Sequence, residues 1–334
     1  MTTHLFQSPV ASKMYSFLEI RRALGRQADT DQKTLRYIDR FLANVLQPGQ
    51  PITREIIHQW LKTIEPLSVV TRINRISTFR KFCRYLNHFD QRTHLIPRGL
   101  TPKRTRPVPY IFTDEQIRAV LAAAKRLRTR SSFLPFLIST LIGLLYSTGL
   151  RISEALKLTL GDIDLKRRLL LIRQTKFQKS RWVPISVSTA KSLRDFLERR
   201  RKSGFSTVET APVFINPYKN ANGRPYKYDR FCGVFLKILR EEKIRGPKGD
   251  RGPRVHHLRH SFAVHRLAMW YREGAVISTK LPLLSTYLGH SSLVGTEVYL
   301  QATTDLLEEA NRRFHDNCAF PNSQQKPKGG VHAQ

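Results

Sequence analysis

The segment HHLRH, from His256 to His260, places three histidines and one arginine within five residues. Such a group can hold a metal ion, supply a catalytic base or bind a phosphate. On a helix, His256 and Arg259 lie three positions apart and project from the same side. Because the chain has no HExxH or CxxC pattern that would complete a zinc site, the segment disfavours a metal site, and a catalytic base and a phosphate-binding group both remain open.

Further polar residues stand beside the signals of helix ends and turns. Arg151 follows the Thr-Gly pair in YSTGLRISEALKL, and Glu154 lies one helical turn later on the same face. Lys176 lies at the tip of a predicted β-hairpin, and His290 follows the Leu-Gly pair of TYLGHSS, which is typical of a helix end. Tyr299 follows in GTEVYLQ. Taken one at a time, these residues could equally be surface charges, a helix cap and a packed ring.

The charge of the chain indicates a polyanionic partner. There are 58 lysines and arginines against 25 acidic residues, which gives a formal net charge of +33. Self-repulsion at such an excess is costly unless a polyanion neutralises it. The basic residues are spread along the chain, whereas proteins that bind membrane surfaces more often concentrate them in one amphipathic segment. We therefore expect nucleic acid as the partner.

Cysteine usage indicates a reducing compartment, and the hydropathy pattern predicts neither a membrane span nor a secretory signal. Cys83, Cys232 and Cys318 are far apart and odd in number, so buried thiols are expected rather than disulfides. The chain has no run of about 18 apolar residues and no basic start followed by an apolar segment. We therefore expect a cytoplasmic protein with neither a membrane span nor a secretory signal.

The first 98 residues predict a helical domain. Apolar residues recur at helical spacing over 14–46 and 52–65, and again in SVVTRINRISTFRKFCRYL. In that last segment, one apolar stripe predicts a buried side, formed by Val69, Ile73, Ile76, Phe79, Phe82 and Leu86. The basic side chains fall off the stripe, where they could follow a phosphate backbone or simply be solvated; they are Arg72, Arg75, Arg80, Lys81 and Arg84.

A basic, proline-rich linker is predicted over 99–109, because proline favours extended backbone. It carries Lys103, Arg104 and Arg106. The next domain, 110–320, opens with a TDEQ capping box and contains one strand-turn-strand pattern at 169–185 among its helices. Residues 321–334 are polar and are expected to be disordered. The predicted fold class is mainly α with a small β-hairpin or sheet, that is, α+β with two domains.

Four motifs in this order resemble those of the tyrosine recombinase, or phage-type integrase, family. TGLRISEAL resembles the first-arginine box, TKFQKSRWVPI the lysine hairpin, HHLRHSFA the HxxR box, and LGHSSLVGTEVYL the segment with the last histidine and the nucleophile. With the helical basic N-terminal domain, the resemblance covers nearly the whole chain. WYREG and LPLLSTYLGH further resemble integrases of transposons and other mobile elements.

The resemblance implies that the Tyr299 phenol attacks a DNA phosphodiester and forms a 3′-phosphotyrosyl bond, which conserves the bond energy without ATP or a cofactor. It implies that Arg151 and Arg259 bind the nonbridging oxygens with forked donors. His256 is then the base. Four further roles are implied: Lys176 as the acid, with Lys179 as its alternative, His290 as a hydrogen-bond donor to phosphate, Glu154 as an orienting group and His260 as a structural hydrogen bonder.

The resemblance also implies a mode of assembly. A helical core-binding domain and a catalytic domain clamp double-stranded DNA, with the linker crossing it. Four protomers, monomeric or weakly dimeric when free, exchange strands between two sites, with accessory DNA-bending or element-encoded proteins as further partners. The segment from Leu306 to Phe314 is expected to pack on a neighbouring protomer, and the protein is expected on the nucleoid of a bacterium.

Two alternatives to a recombinase remain open from the sequence. A type IB topoisomerase-like nicking-closing enzyme shares the chemistry, but the core-binding helices and the mobile-element segments disfavour it. A non-catalytic DNA-binding regulator of the same fold has no need of a correctly placed nucleophile, so the complete residue set disfavours that class as well.

Overall fold

The computed structural model describes residues 5–25, 28–102, 109–173, 180–218, 223–250, 252–290, 292, 294–297 and 299. The chain divides into two compact units, Met1–Pro107 and Val108–Gln334. This boundary falls inside the stretch 99–109 that the sequence predicts as a linker. The basic residues predicted there, Lys103, Arg104 and Arg106, lie outside the described residues.

The described part of the first unit is built from four helices, α1 Ala11–Ala23, α2 Asp29–Val45, α3 Arg54–Ile64 and α4 Val69–Asn87. The side-chain oxygens of Thr53 and Ser68 accept the backbone N–H groups of Ile56 and Thr71 in the first turns of α3 and α4, which fixes where these helices begin. Between them, Trp60 packs edge-on against Phe79 with ring centroids 4.7 Å apart. The helices predicted from the apolar spacing are confirmed.

The second unit contains the remaining elements: α5 Asp114–Lys125, α6 Leu134–Thr148, α7 Ile152–Ala155, β1 Ile163–Asp164, β2 Leu169–Ile172, β3 Arg181–Pro184, α8 Val187–Lys202, α9 Tyr228–Glu241, α10 Val255–Arg272, α11 Ile277–Leu288 and α12 Val294–Glu297. The strands form an antiparallel sheet in the order β1-β2-β3. The two predicted strands are confirmed and pair with each other, with Leu170 opposite Val183 and Ile172 opposite Arg181, and the predicted turn between them lies outside the described residues. The capping box of Thr113 and Gln116 is also present at the start of α5.

Helix α6 is buried on most sides and forms the centre of this unit. Two glycines terminate α6 and α11 in the left-handed conformation, Gly149 with φ +61° and Gly289 with φ +68°. A Cβ atom at Gly149 would lie only 2.8 Å from Leu288 Cδ2, so the absence of a side chain lets the two helix ends approach each other. The residues that follow these glycines are Leu150-Arg151 and His290.

The fold is therefore mainly helical with a small three-stranded antiparallel sheet, as the sequence predicts. None of the helices within the described ranges is long and apolar enough to cross a membrane.

Candidate active site

Two arginines of the second unit are held by the carbonyl oxygens of two helix ends. Arg259, in the second turn of α10, donates from Nη1 to the carbonyl of Gly149 (2.8 Å) and from Nη2 to that of Leu288 (2.7 Å). Arg151, which precedes α7, donates from Nη2 to the carbonyl of Gly289 (3.2 Å). The last carbonyls of a helix lack partners within it, so the two guanidinium groups satisfy them and are themselves fixed in place.

The side chain of Arg259 is almost fully buried, since only 2% of the residue is exposed. Burial, followed by the positive charge of Arg151, lowers the pKa of Arg259 to about 10. The group therefore remains charged near neutral pH. Its fork has more N–H groups than the two carbonyls use, so the others can bind an anionic oxygen.

Glu154 shares its carboxylate between two arginines. Oε1 accepts from Arg151 Nη1 (2.9 Å) and Arg181 Nη1 (3.2 Å), whereas Oε2 accepts from the Arg151 backbone N–H (3.0 Å) and Arg181 Nη2 (3.0 Å). Burial favours the neutral acid, but the hydrogen bond and charge of Arg181, followed by the contacts of Arg151, outweigh burial and lower the pKa of Glu154. The carboxylate is therefore ionised near neutral pH and orients both guanidinium groups.

His256 lies in the first turn of α10 and is exposed to solvent. Protein packed around its ring, followed by the charges of Arg259 and Arg151, lowers the pKa of His256 to about 4. The ring is thus neutral near pH 7 in the DNA-free protein, which is the form that accepts a proton. His256 also meets the ring of His260 edge-on, with centroids 4.6 Å apart.

The other two histidines of HHLRH have separate surroundings. His257 Nδ1 accepts the backbone N–H of Arg254 at 2.8 Å and so caps the start of α10. His260 contacts the rings of His257 and Tyr299, with centroids 5.7 Å and 5.4 Å away. The buried Nδ1 of His260 has no hydrogen-bond partner within the described part of the chain. The prediction that His260 acts as a structural hydrogen bonder stays a prediction.

His290 follows the left-handed Gly289 at the end of α11. Its Nδ1 lies 2.8 Å from the hydroxyl oxygen of the buried Thr296, and its ring is stacked 6.2 Å from that of Tyr299. Burial, followed by the charge of Arg259, lowers the pKa of His290 to about 4. The contact with Thr296 orients the ring of His290 beside the phenol.

Tyr299 is buried beside the two arginines, with only 2% of the residue exposed. It belongs to the apolar cluster of α10 and α11 that includes Phe262, Leu267 and Leu284. Burial raises the pKa of Tyr299, and the positive charges of Arg259 and Arg151 oppose this effect. The phenol is therefore protonated near neutral pH and lies where guanidinium groups can stabilise its anion.

The structure thus brings seven of the predicted residues into one site, namely Arg151, Glu154, His256, Arg259, His260, His290 and Tyr299. Lys176 and its alternative Lys179 lie outside the described residues. Arg181 belongs to the same network but is not among the residues predicted from the sequence. Its sequence signal is weak, an arginine at the start of the second strand of a basic hairpin.

The basic residues of α4 have different surroundings. Arg75 lies over the ring of Tyr37, with Cζ 3.9 Å from the centroid, and Lys81 Nζ is 3.7 Å from Asp31 Oδ1. Arg80 donates to the carbonyls of Ile96 (3.0 Å) and Pro97 (2.8 Å).

Arg80 therefore holds the segment that follows α4. Arg84 is exposed and Arg72 is half-buried. In the predicted apolar stripe, Ile76, Phe79 and Phe82 are buried, but Val69 is 44% exposed because it lies in the first turn of α4.

The cysteines and histidines give no indication of a metal centre in the described ranges. Cys83 and Cys232 are free thiols, and burial raises the pKa of Cys83. Within those ranges, no group of three or more histidine, cysteine, aspartate or glutamate residues could hold a metal ion. Cys318 lies outside them.

Comparisons with known proteins identify similar integrases and recombinases. A family model described as Phage integrase family matches residues 111–305. A putative integrase/recombinase, y4rB of Sinorhizobium fredii (strain NBRC 101917 / NGR234), is 35% identical over 302 residues, covering 89% of this chain and 94% of the relative. A second one from the same strain, y4rE, is 31% identical over 316 residues, covering 93% and 97%.

Solved structures show the same fold. The Tn1549 transposon integrase in complex with transposon right end DNA has a TM-score of 0.67 at 16% identity, covering 94% of this chain and 100% of that one. The XerH site-specific recombinase in its post-cleavage complex has a TM-score of 0.66 at 20% identity, covering 92% and 85%.

Proposed function

The chain belongs to the phage integrase family, and on this premise we propose that it is a tyrosine recombinase that cleaves and rejoins double-stranded DNA through a 3′-phosphotyrosyl intermediate. One observation carries the proposal. The phenol of Tyr299, the guanidinium forks of Arg151 and Arg259 and the imidazole of His256 lie in a single site of one unit. A protein that only binds DNA has no need of this combination.

Each cleavage step balances with the side chains of this site. The phenol proton of Tyr299 passes to neutral His256, and the phenolate oxygen bonds to phosphorus while the bond from phosphorus to the 5′-oxygen breaks. Arg151 and Arg259 bind the nonbridging oxygens, where negative charge grows. The 5′-oxygen leaves with a proton that we assign to Lys176. A 5′-hydroxyl from the other DNA site then gives its proton to Lys176 and bonds to phosphorus, while the bond from phosphorus to the Tyr299 oxygen breaks and His256 returns a proton to the phenolate.

The remaining residues have supporting roles in this scheme. His290 donates a hydrogen bond to a phosphate oxygen, and its contact with Thr296 sets the orientation of the ring. Glu154 keeps Arg151 pointed towards the site. His260 packs against the rings of both His256 and Tyr299.

The buried state of Tyr299 adds a requirement. A phosphodiester cannot reach a hydroxyl on a residue that is only 2% exposed. The rings of His256 and Tyr299 each pack against the ring of His260. We therefore infer that cleavage requires the Tyr299 hydroxyl to become accessible to the phosphate and the base.

The wider assembly belongs to the same proposal. Residues 1–98 form a core-binding domain, 99–109 a linker that crosses the duplex, and 110–320 the catalytic domain, whereas the predicted tail 321–334 lies outside the described residues. Four protomers act on two DNA sites, with accessory DNA-bending or element-encoded proteins as further partners. The net charge of +33 supports a clamp around DNA. The residues proposed for the phosphate backbone are Arg72, Arg75, Arg80, Lys81, Arg84, Lys103, Arg104 and Arg106.

The substrate we propose is the pair of DNA ends of a mobile element. WYREG and LPLLSTYLGH, which resemble segments of transposon integrases, support this choice. The same fold occurs in the Tn1549 transposon integrase, which is described as bound to transposon right end DNA. A DNA substrate in a bacterial host places the protein in the cytoplasm, on the nucleoid.

A covalent-capture experiment tests the proposal. The full chain is incubated with nicked duplexes made from the DNA that flanks its own gene, so that the short released strand diffuses away and the protein–DNA bond accumulates. Sequencing the captured strands maps the cleavage point. We expect a covalent product from the parent and none from Tyr299→Phe.

The other outcomes identify the alternatives. Absence of any covalent product from a folded parent that still binds the duplexes supports the regulator. Covalent product together with relaxation of supercoils, but without exchange between two sites, supports the topoisomerase-like enzyme. Joint molecules between two labelled sites support the recombinase.

A further inference from the structure

Arg181 is the first residue of β3 and follows the segment that carries Lys176. Its guanidinium group contacts two other parts of the second unit. It forms a two-pronged pair with the carboxylate of Glu154, with N–O distances of 3.2 Å and 3.0 Å. It also donates from Nε to the carbonyl of Tyr287 (2.9 Å) and from Nη2 to that of Leu288 (3.3 Å). One side chain thus connects the strand, the carboxylate and the end of α11.

The contacts of Arg181 reach both proposed phosphate-binding arginines. The carbonyl of Leu288 accepts from Arg181 and also from Arg259. The carboxylate of Glu154 binds Arg181 and also Arg151. Arg181 is therefore one contact away from each fork, on the inner side of the site, where its side chain is only 13% exposed.

Arg151 and Arg181 compete for the carboxylate of Glu154. A free carboxylate accepts both prongs of a single guanidinium group, which is its preferred geometry. In this structure Arg181 takes that position, and the side chain of Arg151 makes only one hydrogen bond to Glu154. The other N–H groups of Arg151 then remain for the carbonyl of Gly289 and for a phosphate. Without Arg181, Glu154 could take the whole Arg151 fork.

Arg181 also packs against Gly289, the residue that precedes His290. A Cβ atom at the left-handed Gly289 would lie 2.8 Å from Arg181 Nη1 and 2.9 Å from its Cζ, so the guanidinium group packs directly on the glycine backbone. The end of α11 is therefore held against β3 by both hydrogen bonds and contact. His290 is the next residue along the chain.

We propose that Arg181 is a positioning residue for DNA cleavage, which occupies the carboxylate of Glu154 and the last carbonyls of α11 so that the Arg151 and Arg259 forks face the phosphate. The inference rests on the proposed function, because it concerns the same site. Arg181 does not touch the substrate in this scheme. It acts through Glu154 and the two arginines.

Single-turnover cleavage of the nicked duplex mapped by covalent capture tests this role. The variants are Arg181→Gln, which removes the charge and the fork, and Arg181→Lys, which keeps the charge but not the fork. The matched control is Arg200→Gln. Arg200 is likewise buried and donates to backbone carbonyls, those of Ser206 and Pro212, but it has no contact with the site.

The expected pattern separates rate from binding. At saturating protein, Arg181→Gln should slow formation of the covalent complex by about 100-fold, as is typical when catalytic groups are misplaced. The Kd for the duplex should change less than about threefold, because Arg181 makes no phosphate contact in this scheme. Arg181→Lys should recover less than about a tenth of the parent rate, since an ammonium group cannot form the two-pronged pair. Arg200→Gln should lower the Tm and leave the rate of the folded protein unchanged.

A double-mutant cycle with Glu154→Gln adds a second readout. If Arg181 acts by occupying Glu154, the double variant should be slowed far less than the product of the two single effects. Independent, multiplicative effects would overturn the inference, as would a parent-like rate for Arg181→Gln or full recovery with Arg181→Lys. A loss of cleavage rate that is fully explained by a smaller fraction of folded protein at the assay temperature would also overturn the inference. If the parent itself forms no covalent product, the proposed function fails first and this inference fails with it.

Discussion

The substitution Glu154→Gln tests how the two arginines are held. The carboxylate accepts four hydrogen bonds, three of them from guanidinium N–H groups. Glutamine leaves one acceptor oxygen, turns an amide NH₂ towards a guanidinium group and removes the counter-charge of Arg151 and Arg181. Removing one partner of a buried ion pair costs about 3–5 kcal/mol. Because the side chain of Arg151 is 30% exposed, solvent screens its part, and we expect a loss of about 3 kcal/mol.

Thermal unfolding of the full chain measures this loss. For a unit of this size, about 3 kcal/mol corresponds to a decrease in Tm of roughly 6–12 °C. The matched control is Glu198→Gln, which removes exposed ion pairs with Arg201 and Lys202 on α8 and should leave Tm unchanged within error. A Tm for Glu154→Gln within about 2 °C of the parent would refute the argument that this carboxylate stabilises the site.

The dependence of this loss on pH has a definite sign. The pKa of Glu154 is lowered in the folded protein, because the contacts of Arg181 and Arg151 outweigh burial. Its contribution to stability is therefore fully present above the unfolded pKa of about 4.3 and is lost as the pH falls through the lower folded value. The difference in unfolding free energy between parent and Glu154→Gln should be constant from about pH 5 to 8 and shrink below about pH 4. A difference that grows on acidification contradicts this sign.

Three further outcomes follow from the structure and the charge. Gly149→Ala should lower the free energy of unfolding by about 1–3 kcal/mol, since φ is +61° and the new methyl would meet Leu288. Gly233→Ala, in open space on α9, should raise the free energy of unfolding by about 0.5–1 kcal/mol. Equal Tm values for the two variants would contradict this expectation. Histidine NMR of the DNA-free protein, assigned with His256→Asn, should show a midpoint at about pH 4 for His256. Because the pKa of His256 is lower in the folded protein, the fold should lose stability as the pH falls below the pKa of the unfolded imidazole, about 6.5. A midpoint above about pH 6 for His256 would contradict the lowered pKa. Affinity for duplex DNA, measured by fluorescence anisotropy, should fall about 1,000-fold between roughly 50 and 200 mM salt if about six phosphate contacts form; a flat response would exclude such contacts.

Features that depend on neighbouring residues can be predicted from the chain alone. The spacing of Leu35, Ile38 and Leu42 is enough to predict α2, because helical periodicity is local. The same holds for the capping box of Thr113 and Gln116 and for the pairing of β2 with β3. The order of the motifs, read together with the net charge, indicates the family, which the comparisons confirm.

Side-chain partners that are distant in sequence could not be predicted in this way. Arg80 has the same sequence pattern as its neighbours, but it donates to carbonyls 16 and 17 residues further along the chain. Val69 fits the apolar stripe of α4 and is nevertheless exposed, since helical spacing indicates a side of the helix but not how far the packing extends. The sequence also gives no sign that Nδ1 of His260 is buried without a hydrogen-bond partner in the described ranges, because burial depends on how the helices pack.

The clearest contrast is between Arg259 and Arg181. The HHLRH motif is sufficient to select Arg259, because Arg259 lies three residues after His256, within one turn of the same helix. Arg181 binds Glu154, 27 residues earlier, and Tyr287, 106 residues later, so its role exists only once β3, α7 and α11 have packed together. The burial of Tyr299 arises in the same way. Residue type and local spacing determine which groups can do the chemistry, whereas burial and long-range hydrogen bonds, which depend on the whole fold, determine how those groups are oriented and charged.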